Sequence, residues 1–240
     1  MRIFITGSAD GLGRAAAEEL LSAGHDVVVH ARSKERAAAL NELTDRGADI
    51  MVGDFADRDA VRRIAAELNA RDPLDSVIHN AGVARGKAVL PVNVVAPYLL
   101  TLLLKKPRRH VFLSSNDHFA GRPSLRGVDW QGSTTGSYAD SKLFVTTFAA
   151  ALARLRPDWL SNAVDPGWVP TKMGGAGAPD DLALGHETQA WLASSDDPEA
   201  LTSGGYWYHG RRREPHLSVH DTGFQDALLT VLAKETGTAL

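Results

Sequence analysis

The residues best equipped for chemistry in this chain are Tyr138 and Lys142, four positions apart in Tyr138-Ala139-Asp140-Ser141-Lys142, with Ser115 upstream. On a helix, that spacing brings both side chains to one face. A phenol, with an ordinary pKa of about 10, is a poor acid–base catalyst near neutrality. A neighbouring ammonium favours the phenolate, and a hydroxyl at the end of an adjacent strand could hold the same substrate oxygen. Such a trio suits proton transfer during carbonyl–alcohol interconversion. The pentapeptide alone is a weak signal, because Tyr-x-x-x-Lys also arises by chance in amphipathic helices. Its meaning depends on the elements that position it.

Those elements alternate from the first residue. Arg2–Thr6, Asp26–Ala31, Asp49–Val52, Ser76–His79, Arg109–Ser114 and Ser161–Val164 read as short buried strands. Their near-continuous hydrophobicity suits parallel strands covered on both faces. Leu12–Ala23, Lys34–Arg46, Arg58–Ala70, Val92–Leu104 and Ser137–Arg154 read as helices, with a last strand at Gly205–His209 and a helix at Gln225–Glu235. This order predicts an α/β fold: a doubly wound parallel sheet of about seven strands with right-handed crossovers. The reading is one domain over residues 1–240, in which 210–240 forms a C-terminal extension carrying a helix. Lys172–Asp181, rich in Gly, Pro and Asp, reads as a mobile loop. Ligands of such sheets bind beyond the carboxyl ends of the strands, where nearly every motif of this chain falls.

Composition narrows the function. The 240 residues carry 44% hydrophobic and 23% charged side chains with a formal net charge of -3, which gives no support for a nucleic-acid or membrane surface. Arg211-Arg212-Arg213, followed at once by Glu214, reads as a solvated loop. With no cysteine, disulfides, thiolate metal sites and cysteine nucleophiles are excluded. The nine histidines show no metal-ligand spacing on any one element, so no metal is expected. No apolar run approaches the roughly 20 residues that span a bilayer, and the first strand starts almost at Met1; the expected location is cytoplasmic.

Between the first strand and first helix lies Thr6-Gly7-Ser8-Ala9-Asp10-Gly11-Leu12-Gly13. Glycines let the turn take unusual φ values, and the helix N-terminus then offers free N–H groups to a pyrophosphate. Taken with Asn80-Ala81-Gly82, Asn93, Ser115, Tyr138-x-x-x-Lys142 and Asp165-Pro166-Gly167-Trp168-Val169-Pro170-Thr171, the chain resembles the short-chain dehydrogenase/reductase family over about residues 2–209. Gly127-Val128-Asp129-Trp130 and the 23-residue step from Ser115 to Tyr138 resemble its retinol-dehydrogenase-like branch.

The resemblance implies a Rossmann-fold oxidoreductase that moves a hydride between a nicotinamide cofactor and a small carbonyl or alcohol substrate, as a homo-oligomer (dimer or tetramer). Asn93, Ser115, Tyr138 and Lys142 would then act together. Tyr138 donates or takes the proton, Lys142 lowers its pKa and holds the ribose, Ser115 polarises the carbonyl, and Asn93 holds a relay water. Gly7, Ser8, Asp10, Gly11, Leu12, Gly13, Asn80, Ala81, Gly82, Pro166, Gly167, Val169 and Thr171 would line the cofactor, with Asp54 and Phe55 near the adenine. Asp54 reads almost equally well as a helix cap, although Asp57 is better placed for that. His30-Ala31-Arg32-Ser33 closes the second strand without a carboxylate, and Arg32 with Ser33 could bind a 2′-phosphate, so NADP(H) is expected over NAD(H). The alternative function is a non-catalytic NADP(H)-binding redox sensor or scaffold.

Further expectations concern individual residues. Ser114 and Ser115 point to opposite faces, and the resemblance favours Ser115 as the reactive one. His118 reads as solvent-facing or pocket-lining, Trp168 as pocket-facing, and Tyr206–Tyr208 as core or subunit contact. Pro97 should kink or break the fourth helix. Asn93 follows Asn80 by only 13 residues, a shorter segment than relatives carry, which should alter one wall of the substrate mouth.

Overall fold

The structure is a computed structural model that describes residues 1–105 and 107–240. Its strands are β1 (Arg2–Ile5), β2 (Asp26–Ala31), β3 (Asp49–Val52), β4 (Ser76–His79), β5 (Arg109–Leu113), β6 (Leu160–Asp165), β7 (Tyr206–Tyr208) and β8 (Arg211–Arg213). They form one sheet in the order β3-β2-β1-β4-β5-β6-β7-β8. All neighbours are parallel except β8, which runs antiparallel to β7. The strand order reverses between β1 and β4, and a crevice opens there at the carboxyl ends.

Alternate residues of each strand enter two cores. Phe4, Val28, Val77, Phe112, Ala163 and Tyr206 meet α4 (Arg58–Asn69), α5 (Ala96–Leu103), α6 (Tyr138–Leu155) and α8 (Thr222–Thr236) through Ile64, Tyr98, Phe144, Phe148, Leu228 and Leu232. Ile3, Ile5, Val29, Ile78, Val111 and Val164 meet α1 (Gly11–Ser22) and α7 (Leu182–Ser194) on the other face. Each side chain fully buried in these layers contributes about 1.5–3 kcal/mol, so burial on both faces, not strand propensity, holds the central strands.

Three elements differ from expectation. Residues 34–46 make a broken helix: α2 (Lys34–Ala37), a 3₁₀ turn at Ala38–Leu40, and α3 (Asn41–Asp45). Only Leu40 and Leu43 are buried there, and the tighter turn brings both inward. The distortion expected at Pro97 lies one turn earlier, as a π turn at Pro91–Val95; Pro97 itself sits in the first turn of α5. There it lacks only an N–H that a helix start leaves unpaired anyway. Arg211–Arg213 is not a loop but the edge strand β8, fully exposed. Three charges on an edge discourage pairing with another sheet. No helix among the described residues is long and apolar enough to cross a membrane.

Candidate active site

The glycine turn leaves β1 and enters α1 along the crevice. Gly7 and Gly11 have positive φ (67° and 54°), which other residues resist. A Cβ at Gly7 would lie 2.8 Å from the Ala81 backbone, and one at Gly13 would lie 2.6 Å from the Gly7 carbonyl. The turn therefore exists only because those side chains are missing. Asn80 donates from Nδ2 to the carbonyls of Thr6 (2.9 Å) and Gly7 (3.1 Å), and Thr6 Oγ1 accepts from the Ala81 amide (2.9 Å). Asp10 is the N-cap of α1 but makes no side-chain cap, so the first amides of the helix remain free. Its carboxylate, pushed up by partial burial, is held below the ordinary range by Lys172 and Arg36. This cradle of open backbone fits the pyrophosphate of a dinucleotide.

Sequence reasoning passed over His30, which stitches the cradle together. It is 2% exposed and stacks on Phe55 at 4.0 Å. Nδ1 accepts from the Gly7 amide (3.0 Å), so Nε2 carries the proton it donates to the Gly53 carbonyl (2.8 Å). One ring thus joins the glycine turn to the Asp54–Phe55 segment beyond β3. Asp54 accepts from the Ala56 amide, while Asp57 caps α4, as the sequence suggests. Arg32 is exposed at the end of β2, and Ser33 caps α2.

Ser115, Tyr138 and Lys142 converge at the carboxyl end of β5. Ser137 caps α6, accepting from the Asp140 amide, and this starts the helix at Tyr138 and sets Lys142 one turn on. Lys142 is 5% exposed; Nζ lies 5.4 Å from the Tyr138 ring centre and donates to the Leu113 carbonyl (2.7 Å). Burial pulls the Lys142 ammonium down to about 8, against the upward pull of Asp165 and Asp117. Burial pushes Tyr138 up to about 12, opposed by the nearby Ser115 hydroxyl, which itself accepts from the Asp117 amide (3.2 Å), and reinforced by Asp117 and Asp165. Ser114 instead bonds the Thr146 hydroxyl on α6 (2.6 Å). Asn93 lies in the π turn, with Oδ1 accepting from Val83 N (2.9 Å) and Nδ2 donating to the Val83 carbonyl and to Ser141 Oγ. A Cβ at Gly82 would stand 3.5 Å from Asn93 Oδ1 and 3.7 Å from Lys142 Nζ, so all three residues face one point.

The structure adds a polar layer that the motifs did not reveal. His118 is buried, not solvent-facing. Its Nε2 accepts from the His216 amide (3.0 Å), which leaves Nδ1–H to donate to the Ser115 carbonyl (2.8 Å). The C-terminal segment is clamped in this way to the serine turn. Asp165, buried at the end of β6, accepts from the Gly167 amide (3.0 Å) and the Tyr206 phenol (3.1 Å). Tyr206 and Trp207 are core, as expected, while Trp168 is 60% exposed and donates to the Gly174 carbonyl.

The segment after Pro166 folds back over the crevice. Gly167 has φ +81°, and a Cβ there would strike Asp180. Val169 and Leu12 meet at Gly185, and Thr171 lies against Gly11. Lys172 reaches Asp10 at 3.0 Å, tying this loop to the glycine turn. The structure therefore gathers the expected cofactor residues around one crevice and sets Ser115, Tyr138 and Lys142 at its end. Among the described residues no group of His, Asp and Glu could hold a metal ion.

Comparison with known proteins agrees with this architecture. Residues 1–100 match the family model for short chain dehydrogenases. The chain is 36% identical to an uncharacterized oxidoreductase of Emericella nidulans, over 99% of this chain and 97% of that protein. It is 34% identical to the short-chain dehydrogenase chry4 of Gibberella zeae, over 100% of this chain and 98% of that one. A short chain dehydrogenase of Shigella flexneri, solved in complex with NADP, matches with a TM-score of 0.69 at 25% identity, covering 88% of this chain and 97% of its own. The chain belongs to the short-chain dehydrogenase/reductase family. It is accordingly an oxidoreductase acting on CH–OH or carbonyl groups.

Proposed function

We propose that this oxidoreductase uses NADP(H) to interconvert an aldehyde or ketone and its alcohol, with Tyr138 as the acid–base group. The observation that carries the reading is the convergence of three chemistries at the end of β5: the Ser115 hydroxyl acts on the Tyr138 phenol, and the Lys142 ammonium lies 5.4 Å from the centre of the same ring. NADP(H), when bound, supplies or accepts the hydride. Ser115 holds the carbonyl oxygen and stabilises the negative charge that grows on it. Tyr138 gives that oxygen its proton, and Lys142 offsets the charge left on the phenolate while holding the ribose hydroxyls. Asn93, locked by Val83 and Ser141 at the approach to Lys142, lines the route by which the proton is replaced.

The cofactor assignment rests on the chain's own shape. The amides of the Gly7–Gly13 turn would take the pyrophosphate, with Phe55 and Asp54 near the adenine and Asn80, Ala81 and Gly82 along the middle. Pro166, Gly167, Val169 and Thr171 would border the nicotinamide. Exposed Arg32, with Ser33, favours the extra phosphate of NADP(H), and the NADP in the Shigella relative is in keeping with that choice.

The test is oxidation of NADPH, against NADH, with a panel of aldehydes, ketones and quinones. Tyr138→Phe should bind NADPH normally and lose about 100- to 10,000-fold in turnover. Arg32→Ala should narrow the preference for NADPH. Tight cofactor binding with no turnover across the panel would replace the enzyme by a redox sensor.

A further inference from the structure

Asp165 stands out among the groups that this reaction does not use. It is a carboxylate 4% exposed, at the carboxyl end of a central strand, and no cation lies in ion-pair contact with it among the described residues. A buried charge without a partner is costly, by several kcal/mol after the protein relaxes. Its two donors, the Gly167 amide and the Tyr206 phenol, could be met by a neutral amide oxygen just as well. Hydrogen bonding alone does not account for the charge.

The backbone around it shows where the charge is felt. Lys142 Nζ donates to the Leu113 carbonyl at 2.7 Å, and the N–H of that same peptide unit, on Ser114, donates to the Val164 carbonyl at 2.7 Å. That second carbonyl belongs to the peptide joining Val164 to Asp165. Two consecutive peptide dipoles, aligned across β5 and β6, therefore run from the Lys142 ammonium to the backbone of Asp165. The alternation of β6 also turns Asp165 to the same face as Ala163 and Tyr206, the face covered by α6. Among the described residues the ammonium has a carbonyl as its only hydrogen-bond partner, it is 5% exposed, and a negative charge in this low-dielectric layer offsets the lost hydration.

We propose that Asp165 is the buried counter-charge of Lys142, a positioning residue that keeps the lysine cationic beneath Tyr138 and so sets the site up for carbonyl reduction. The proposal rests on Tyr138 and Lys142 being the proton-handling pair, and it adds a direction. A negative charge here favours the phenol, which is the proton donor that reduction needs, over the phenolate. Asp117 acts on the same pair, and on Tyr138 ahead of Asp165, but it is exposed and screened by solvent. Asp165 acts first on Lys142. The other titratable groups in this layer are His118 on the serine turn, His216 on the C-terminal segment, Tyr206, Tyr208 and Arg213 on the last strands, and Asp180 on the covering loop.

Asp165→Asn isolates the charge, because the amide oxygen still accepts from the same donors. The readout is the pH titration of the Lys142 side chain by carbon-13 NMR of the [ε-¹³C]lysine-labelled protein without cofactor, assigned with Lys142→Met. Wild type should titrate near pH 8, and Asp165→Asn lower by about one pH unit. The high-pH decline of kcat/KM for reduction should move down by the same interval. Asp165→Asn/Tyr206→Phe, which leaves no phenol facing the new amide, should give the same shift and serves if the single variant does not fold. An unmoved Lys142 titration in a folded variant overturns the proposal. The titration needs no turnover, so it stands apart from the carbonyl panel: a shifted lysine in an inactive protein would sink the reductase reading, and an unmoved lysine in an active enzyme would sink the counter-charge alone.

Discussion

The two ends of the crevice are built by different physics. The proposed cofactor end is mainly geometric: Gly7, Asn80, Thr6, Ala81 and His30 are joined by hydrogen bonds to backbone groups, the turn follows the space left by absent side chains, and its Asp10 is paired with Lys172 and Arg36. The catalytic end is electrostatic. Among the described residues Lys142 and Asp165 are buried charges without a contact ion pair, and burial pushes the Tyr138 phenol up from its ordinary value of 10 to about 12. A geometric site should fail through bulk and a charged site through pH. Substitutions that separate affinity from turnover test this contrast.

Among the substitutions that probe this contrast, the largest effect on affinity is expected at the cofactor end, from Gly13→Ala. Its methyl would sit 2.4 Å from Asn80 Nδ2 and 2.6 Å from the Gly7 carbonyl. A free amide would yield, but this one is bonded to Thr6 and Gly7, and the carbonyl is fixed backbone. Overpacking of this kind costs about 1–3 kcal/mol, so NADPH affinity should fall by about 10- to 100-fold. Fluorescence titration would measure it, and retained affinity would show the turn to be more pliable than the contacts imply.

The same contrast explains how much could be read in advance. Gly7–Gly13, Asn80–Gly82 and Tyr138–Lys142 were legible because each is local, a turn or one helical face whose spacing carries its geometry. His30, His118, Asp165 and Tyr206 were not. His30 meets Gly7 across 23 residues, His216 meets His118 across 98, and Tyr206 meets Asp165 across 41. No periodicity encodes such meetings; they follow from strand order. The edge strand at Arg211–Arg213 was missed for a related reason, since three charges resemble a loop until β7 is beside them. The sheet itself was plain from alternating apolar runs, because strands buried on both faces have no other composition available.

At the catalytic end, His118→Phe should reduce turnover and spare cofactor binding. The ring would still pack beside Tyr206, 4.7 Å away between centres, but the Ser115 carbonyl and His216 amide would lose their bonds. Loosening the turn that carries Ser115 is expected to lower kcat by about tenfold, the equivalent of one net hydrogen bond in the transition state. His118→Asn, which can meet one of the two partners, should recover part of the loss. Equal losses in kcat and in NADPH affinity would mean that the two ends are not separable.

The smallest effect, and the sharpest probe of the geometric end, comes from His30→Phe. Phenylalanine keeps the stack on Phe55 but cannot accept from Gly7 or donate to Gly53, so NADPH affinity should fall about fivefold. The same residue makes the geometric end sensitive to acid. Burial holds His30 down at about 4 in the folded chain, against 6.5 for the free side chain. Between those values the unfolded chain binds the extra proton, so the stability His30 contributes is fully present above about pH 6.5 and is lost as pH falls towards 4. His110, also held near 4, and His79 add slopes of the same sign. Thermal melts across this window should therefore show a shallower decline in His30→Phe than in wild type, without becoming flat. An unchanged slope would mean that His30 meets water in the folded protein, and that the bond from Gly7 is not what fixes the turn.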